Sequence, residues 1–83
     1  MEKAYTYILK SEVDNKFYIG STRNLEERFK RHNSGKVRST KSRKPFILLY
    51  SEEFSDYPSA CKRELFLKIG VGRKWLKDKF KSE

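Results

Sequence analysis

The sequence predicts an α+β domain in which a small three-stranded mixed or antiparallel sheet is flanked by helices, in the order ββαβαα. Three observations carry this reading: two β-rich segments joined by turn residues near the start, two later stretches with helix caps and helical spacing, and a short apolar run between them. With 83 residues the chain can build one modest core and is too short for a second, so residues 1–83 are expected to form a single domain.

Residues 4–10 and 16–20 read as a hairpin, with Asp14 and Asn15 supplying residues that tolerate turn geometry. Asn24 followed by Glu27 resembles a capping box, and Leu25, Phe29 and His32 repeat at helical spacing until Asn33-Ser34-Gly35 ends the run, which places a first helix over 24–34. The segment GKVRSTKSRK (35–44) carries five basic residues and neither an acidic nor an aromatic one, so it reads as a mobile surface loop suited to phosphate contact. After Pro45, FILLYSEEF is apolar and rich in β-formers, and reads as a third strand buried against the hairpin. Asp56 or Tyr57, with Pro58 in the first turn, opens a second helix to about Ile69. Gly70 and Gly72 then break the pattern, and Trp75, Leu76 and Phe80 are spaced for a short third helix over 73–80.

The charge is strongly positive: 20 Lys and Arg against 11 Asp and Glu give +9, distributed along the whole chain rather than in a tail. A basic surface on a folded body favours polyanions, nucleic acid first, because phosphate neutralisation releases counterions. One cysteine, Cys61, excludes an intrachain disulfide, and with a single histidine it cannot make a zinc site; a reducing cytoplasm suits it. No apolar run approaches the roughly 20 residues of a membrane span, and no hydrophobic signal region follows Met1. The sequence therefore predicts a cytoplasmic protein, monomeric, whose partner is DNA and not a membrane or a small molecule.

A few residues stand out as candidates for chemistry. Arg28 and His32 lie one helical turn apart at the edge of the Leu25–Phe29 stripe and point together. An arginine so placed usually packs its stem and keeps its head in water, and a lone histidine is usually structural. His32 is nonetheless the only side chain that titrates near neutrality without help. Glu64 projects among Ala60, Cys61 and Leu67, away from Lys62 and Arg63, so it needs a partner. Lys68, one turn on, offers an ion pair worth a few tenths of a kcal/mol. The alternative is a bound cation, since one carboxylate suffices for Mg²⁺ when waters and phosphate oxygens complete the octahedron.

The order of these residues says more than any one of them. Tyr5-Thr6-Tyr7, Tyr18-Ile19-Gly20, Arg28 and Glu64 together resemble the GIY-YIG nuclease family, and in particular its small stand-alone members, which are similar to the nuclease module of the bacterial excision-repair subunit. NLEERFKRHNSG, LLYSEEF and CKRELFLKIGVGRKWL extend the likeness to nearly the whole chain. The first motif departs from its name, with Tyr5 and Thr6 in place of glycine and an aliphatic residue. Ser21 stands where larger members often have lysine, and the GVGR segment where they have asparagine.

The resemblance implies an endonuclease that hydrolyses phosphodiester bonds in DNA with one Mg²⁺ or Mn²⁺ on Glu64, possessing little sequence preference and serving repair or recombination. It implies that Arg28 donates to the non-bridging phosphoryl oxygens and that a tyrosine takes the proton from water. A phenol of pKa ~10 is about three units from neutrality, a cost of roughly 4 kcal/mol. The sequence leaves open whether Tyr7 or Tyr18 is that base; we prefer Tyr7, with His32 as a supporting proton acceptor or phosphate contact. Arg23, Lys36, Arg38, Lys41, Arg43 and Lys44 are the expected nucleic-acid contacts. The alternative is a non-catalytic nucleic-acid-binding module that has kept the fold.

Overall fold

The computed structural model describes residues 3–80. The elements run β1 (Ala4–Ser11), β2 (Phe17–Thr22), α1 (Leu25–Asn33), a 3-10 turn (Arg38–Arg43), β3 (Phe46–Phe54), α2 (Tyr57–Leu67) and α3 (Gly70–Phe80). This is the expected α+β order, and the sheet is antiparallel throughout, with β1 between β2 and β3.

The central position of β1 follows from its side chains. Thr6, Tyr7, Ile8 and Leu9 are all buried, which requires cover on both faces of the sheet. Alternation sends Ile8 to one side, where it meets Ile19, Leu67 and Leu76, and sends Tyr7 and Leu9 to the other, where they meet Phe46 with Leu25 and Phe29 packed alongside. One face thus carries α2 and α3, and the other carries α1. Tyr50 joins the first layer, edge-on to Trp75 and Phe80 at 5.9 and 5.8 Å, as a packing residue.

Local chemistry sets the boundaries. Asn15 takes a φ of 61° in the hairpin turn, and Asp14 accepts from the Lys16 amide at 2.9 Å. Asn24 caps α1 by accepting from the Glu27 amide at 3.1 Å, and Asp56 caps α2 by accepting from Ser59 at 2.7 Å, with Pro58 in the first turn.

Three expectations are corrected. The segment 35–44 is not a featureless loop: residues 38–43 form the 3-10 turn, with Val37 and Thr40 buried. Polar contacts pin it, among them Arg43 to Asp14 at 2.9 Å and the Ser11 hydroxyl to the Arg43 carbonyl at 2.6 Å. Second, β3 is an edge strand and less covered than its composition suggests, with Phe46 buried but Ile47 and Leu48 exposed. Third, α3 starts at Gly70, not 73, and α2 ends at Leu67. Gly72 lies inside α3 because a Cβ there would sit 1.8 Å from the Phe66 carbonyl oxygen; it permits the close turn between the two helices rather than breaking a helix.

Candidate functional site

The site is built at the β2 edge of the sheet. In the β1–β2 register Tyr7 lies opposite Gly20 and Leu9 opposite Tyr18, so both phenols rise from the face that carries α1. Tyr7 is 1% exposed, and its ring lies over Gly20: a Cβ at that position would come within 2.5 Å of the hydroxyl oxygen. The glycine of the second motif is therefore the clearance for the tyrosine of the first. Gly20→Ala is expected to push the phenol off its partner at a cost of about 1–3 kcal/mol. A urea melt that matches wild type would show that the ring has room to spare.

From α1, Arg28 and His32 close over the two phenols. The Tyr7 hydroxyl is 3.1 Å from His32 Nε2, and His32 Nδ1 is 2.8 Å from Thr40 Oγ1 in the 3-10 turn. The Tyr18 and His32 rings lie 4.8 Å apart, and Phe46 meets the imidazole edge-on at 5.8 Å. Burial pushes the Tyr7 phenol up to about 12, against the pull of the nearby Arg28 guanidinium. In turn Arg28 is held above its ordinary value, chiefly by its interaction with Tyr7. Burial, with the Arg28 charge, lowers His32 from 6.5 to about 4.

At neutrality the site therefore holds a neutral phenol, a neutral imidazole and a charged guanidinium. Above its depressed pKa the native imidazole binds no proton, whereas the unfolded chain's histidine does so below about 6.5. The contribution to stability is complete above that pH and lost as pH falls towards 4, on the order of 3 kcal/mol in all. His32 is the only histidine, so its ring carbon resonance reports directly. The expected NMR titration shows no change until below pH 5; a midpoint near 6.5 would place the ring in water.

Glu64 approaches from the other layer. Ser21 follows Gly20 on β2, so its side chain faces α2, where its hydroxyl donates to Glu64 Oε1 at 2.5 Å and lies 3.5 Å from Cys61 Sγ. Lys68 Nζ takes the other oxygen, Oε2, at 2.6 Å. The carboxylate is half-buried and still near enough for its charge to act on Tyr7. Ser21, read from the sequence only as a missing lysine, is thus the residue that orients Glu64, and Thr40 was not singled out at all.

A family model described as the GIY-YIG catalytic domain matches residues 3–77. The chain belongs to the GIY-YIG family. Its similarity to UPF0213 proteins is extensive: 45% identity over 69 residues with one from Staphylococcus haemolyticus, covering 82% of this chain and 83% of that one. A UPF0213 protein of Limosilactobacillus reuteri is 39% identical over 82 residues, covering 95% of this chain and 82% of the relative. Among solved structures, the solution NMR structure of the UPF0213 protein BH0048 from Bacillus halodurans superposes with a TM-score of 0.56 at 30% identity, over 96% of this chain and 86% of that one.

Tyr7, Tyr18, Arg28 and His32 gather on the face that carries α1, and Glu64 lies across the sheet on the α2 side. The donor set for a metal is spare. Among the described residues no group of three or more His, Cys, Asp or Glu side chains gathers to hold an ion. The carboxylate of Glu64 and the hydroxyl of Ser21 are hard oxygen donors of the kind Mg²⁺ takes, and they suit an ion completed by water and substrate phosphate rather than a self-sufficient protein cage.

The predicted nucleic-acid contacts divide. Lys36, Arg38, Lys41 and Lys44 are exposed on and around the 3-10 turn, and Arg23 is exposed with its guanidinium 4.4 Å from the centre of the Tyr57 ring. Arg43 differs. It is bound to Asp14, donates to the carbonyls of Lys16 and Phe17, and lies over Phe46, so it ties the turn to the hairpin. Among the described residues no helix is long and apolar enough to cross a membrane.

Proposed function

We propose that this chain is a divalent-metal-dependent endonuclease that binds DNA with little sequence preference and hydrolyses a phosphodiester bond at the β2 edge. The observation that carries the reading is the buried Tyr7–His32 contact beneath the Arg28 guanidinium. A fold kept only for binding has no need to bury a phenol and an imidazole together beside a half-buried guanidinium, since each demands a polar partner. The likeness to the excision-repair module extends the proposal to damaged or branched DNA.

In the mechanism we infer, Arg28 receives the non-bridging oxygens of the scissile phosphate, where its planar fork matches their geometry. Attacking water gives its proton to the Tyr7 oxygen as Tyr7 passes its own to His32 Nε2. This route matters because burial has made a free phenolate about five units from neutrality, roughly 7 kcal/mol, well above the cost for an ordinary phenol. Relayed, the phenol is never left ionised. Phosphate at Arg28 also offsets the positive charge that helps depress His32, so the imidazole becomes a better base when substrate is present. Glu64, oriented by Ser21, would hold the divalent ion, whose chemistry when bound is to polarise the phosphoryl group and stabilise the leaving 3′-oxygen.

A second reading, a nucleic-acid-binding module without catalysis, draws on one observation: both oxygens of Glu64 already have partners, Ser21 and Lys68. Incubation with supercoiled, single-stranded and flap DNA in Mg²⁺, Mn²⁺ or EDTA separates the two. Metal-dependent nicking is the expected result, and binding without cutting in either metal would establish the second reading.

Binding is common to both readings and should be salt-sensitive. Each phosphate contact contributes about 0.9 to the slope of log K against log salt, so neutralising Lys36, Arg38, Lys41 and Lys44 is expected to flatten it by up to about 3.6 units. Arg43→Ala, by contrast, should lower the melting temperature and leave the slope nearly as it was. An unchanged slope in the quadruple variant would move the DNA surface away from the turn.

A further inference from the structure

We propose that Thr40 is the positioning residue that fixes the imidazole tautomer of His32, keeping the proton on Nδ1 so that Nε2 is free to accept from Tyr7. The inference rests on the relay reading of the site, but its direct readout does not depend on cleavage.

The hydrogen-bond inventory gives the chain of contacts a direction. The Val37 carbonyl can only accept, so Thr40 Oγ1 donates to it at 3.3 Å and is left to accept from the imidazole. The ring proton therefore sits on Nδ1 and is donated to Thr40 Oγ1 at 2.8 Å. Nε2 is then the bare nitrogen and accepts from the Tyr7 hydroxyl at 3.1 Å. The chain runs from the phenol to a carbonyl that can only accept.

The opposite tautomer breaks this chain. With the proton on Nε2, the phenol proton would lose its acceptor, and the single Thr40 hydroxyl proton could not serve both Nδ1 and the Val37 carbonyl. His32 and Thr40 are both 0% exposed, so water is not at hand to replace a lost bond.

Removing the Thr40 hydroxyl should therefore release the imidazole. In Thr40→Val the side chain keeps its shape, but an Nδ1–H would point at a methyl group, while an Nε2–H would strand the Tyr7 hydroxyl proton. Each tautomer then leaves one buried donor without an acceptor, so the wild-type preference for Nδ1–H is expected to be lost and both tautomers to be populated. Thr40→Ser restores the hydroxyl and should restore the wild-type tautomer.

Long-range ¹H–¹⁵N correlation spectra of protein labelled at its single histidine read the tautomer directly. The expected wild-type pattern has a protonated Nδ1 and a bare Nε2; Thr40→Val should show both tautomers, and Thr40→Ser should match wild type. In single-turnover cleavage Thr40→Val is expected to fall about ten- to a hundredfold with DNA affinity unchanged, and Thr40→Ser to recover most of the rate. A wild-type ring protonated at Nε2, or a Thr40→Val ring still wholly protonated at Nδ1, would overturn the inference. If Thr40→Val does not fold, the wild-type and Thr40→Ser spectra still decide it. A wild-type protein with the Nδ1 tautomer and no cleavage would sink the nuclease reading while leaving the role of Thr40 in place.

Discussion

Tyr7→Phe is expected to slow single-turnover cleavage at least about a hundredfold, within the range of general acid–base catalysis, while the protein remains folded. The ring stays in its place over Gly20 and against Leu9 and Phe46, so packing survives. What is lost is the hydroxyl that bonds His32 Nε2 and that, in the proposed relay, receives the proton of the attacking water; a buried nitrogen is left without its donor, at about 1–2 kcal/mol of stability. Tyr18→Phe provides the comparison. Tyr18 is half-buried and interacts with Arg28 and the His32 ring, but His32 Nε2 bonds to Tyr7. Its loss should act through the orientation of Arg28 and be smaller. Urea melts beside the kinetics separate folding from chemistry; a fully active Tyr7→Phe with an inactive Tyr18→Phe would exchange the two roles, and two active variants would return both tyrosines to packing.

The parts of this site that the sequence exposes are those written in local pattern. Asn24 with Glu27, and Asp56 with Pro58, mark helix starts because caps act within three residues. Helical spacing likewise aims Arg28 and His32 the same way. The parts it hides are set by contacts between distant segments. Nothing in GKVRSTKSRK has a helical or strand period, because Thr40 and Arg43 anchor the turn through polar bonds to His32 and Asp14, and hydrophobic periodicity cannot register such bonds. The clearance Gly20 gives Tyr7 is a property of strand register, which pairs residues thirteen positions apart. A signal for Ser21 was available: as the residue after Gly20 on a strand it must face the opposite layer, where Glu64 needed a partner. The expectation that FILLYSEEF would be buried failed for a related reason, since apolar composition does not distinguish a central strand from an edge.

Glu64→Gln is expected to abolish cleavage, and the two partners of the carboxylate make its other effects specific. An unpartnered Glu64 would carry a desolvation cost that an amide avoids, so the substitution would stabilise the metal-free protein. With Ser21 on one oxygen and Lys68 on the other that gain disappears. The amide oxygen can still accept from Ser21, while the amide nitrogen cannot pair with Lys68, whose ammonium is exposed enough to turn to water. The expected loss is about 1 kcal/mol or less. DNA affinity in EDTA should hold or rise, because a negative charge facing phosphate is gone. Lys68→Met is the decisive companion. If Glu64 serves a metal, Lys68 competes with the ion for Oε2, so its removal should tighten Mn²⁺ binding in calorimetry and spare cleavage, whereas Glu64→Gln loses both. If Glu64 serves only the helix ion pair, the two substitutions should have the same small effect on the melt and none on activity, and a Glu64→Gln protein that still cuts DNA would remove the metal from the mechanism.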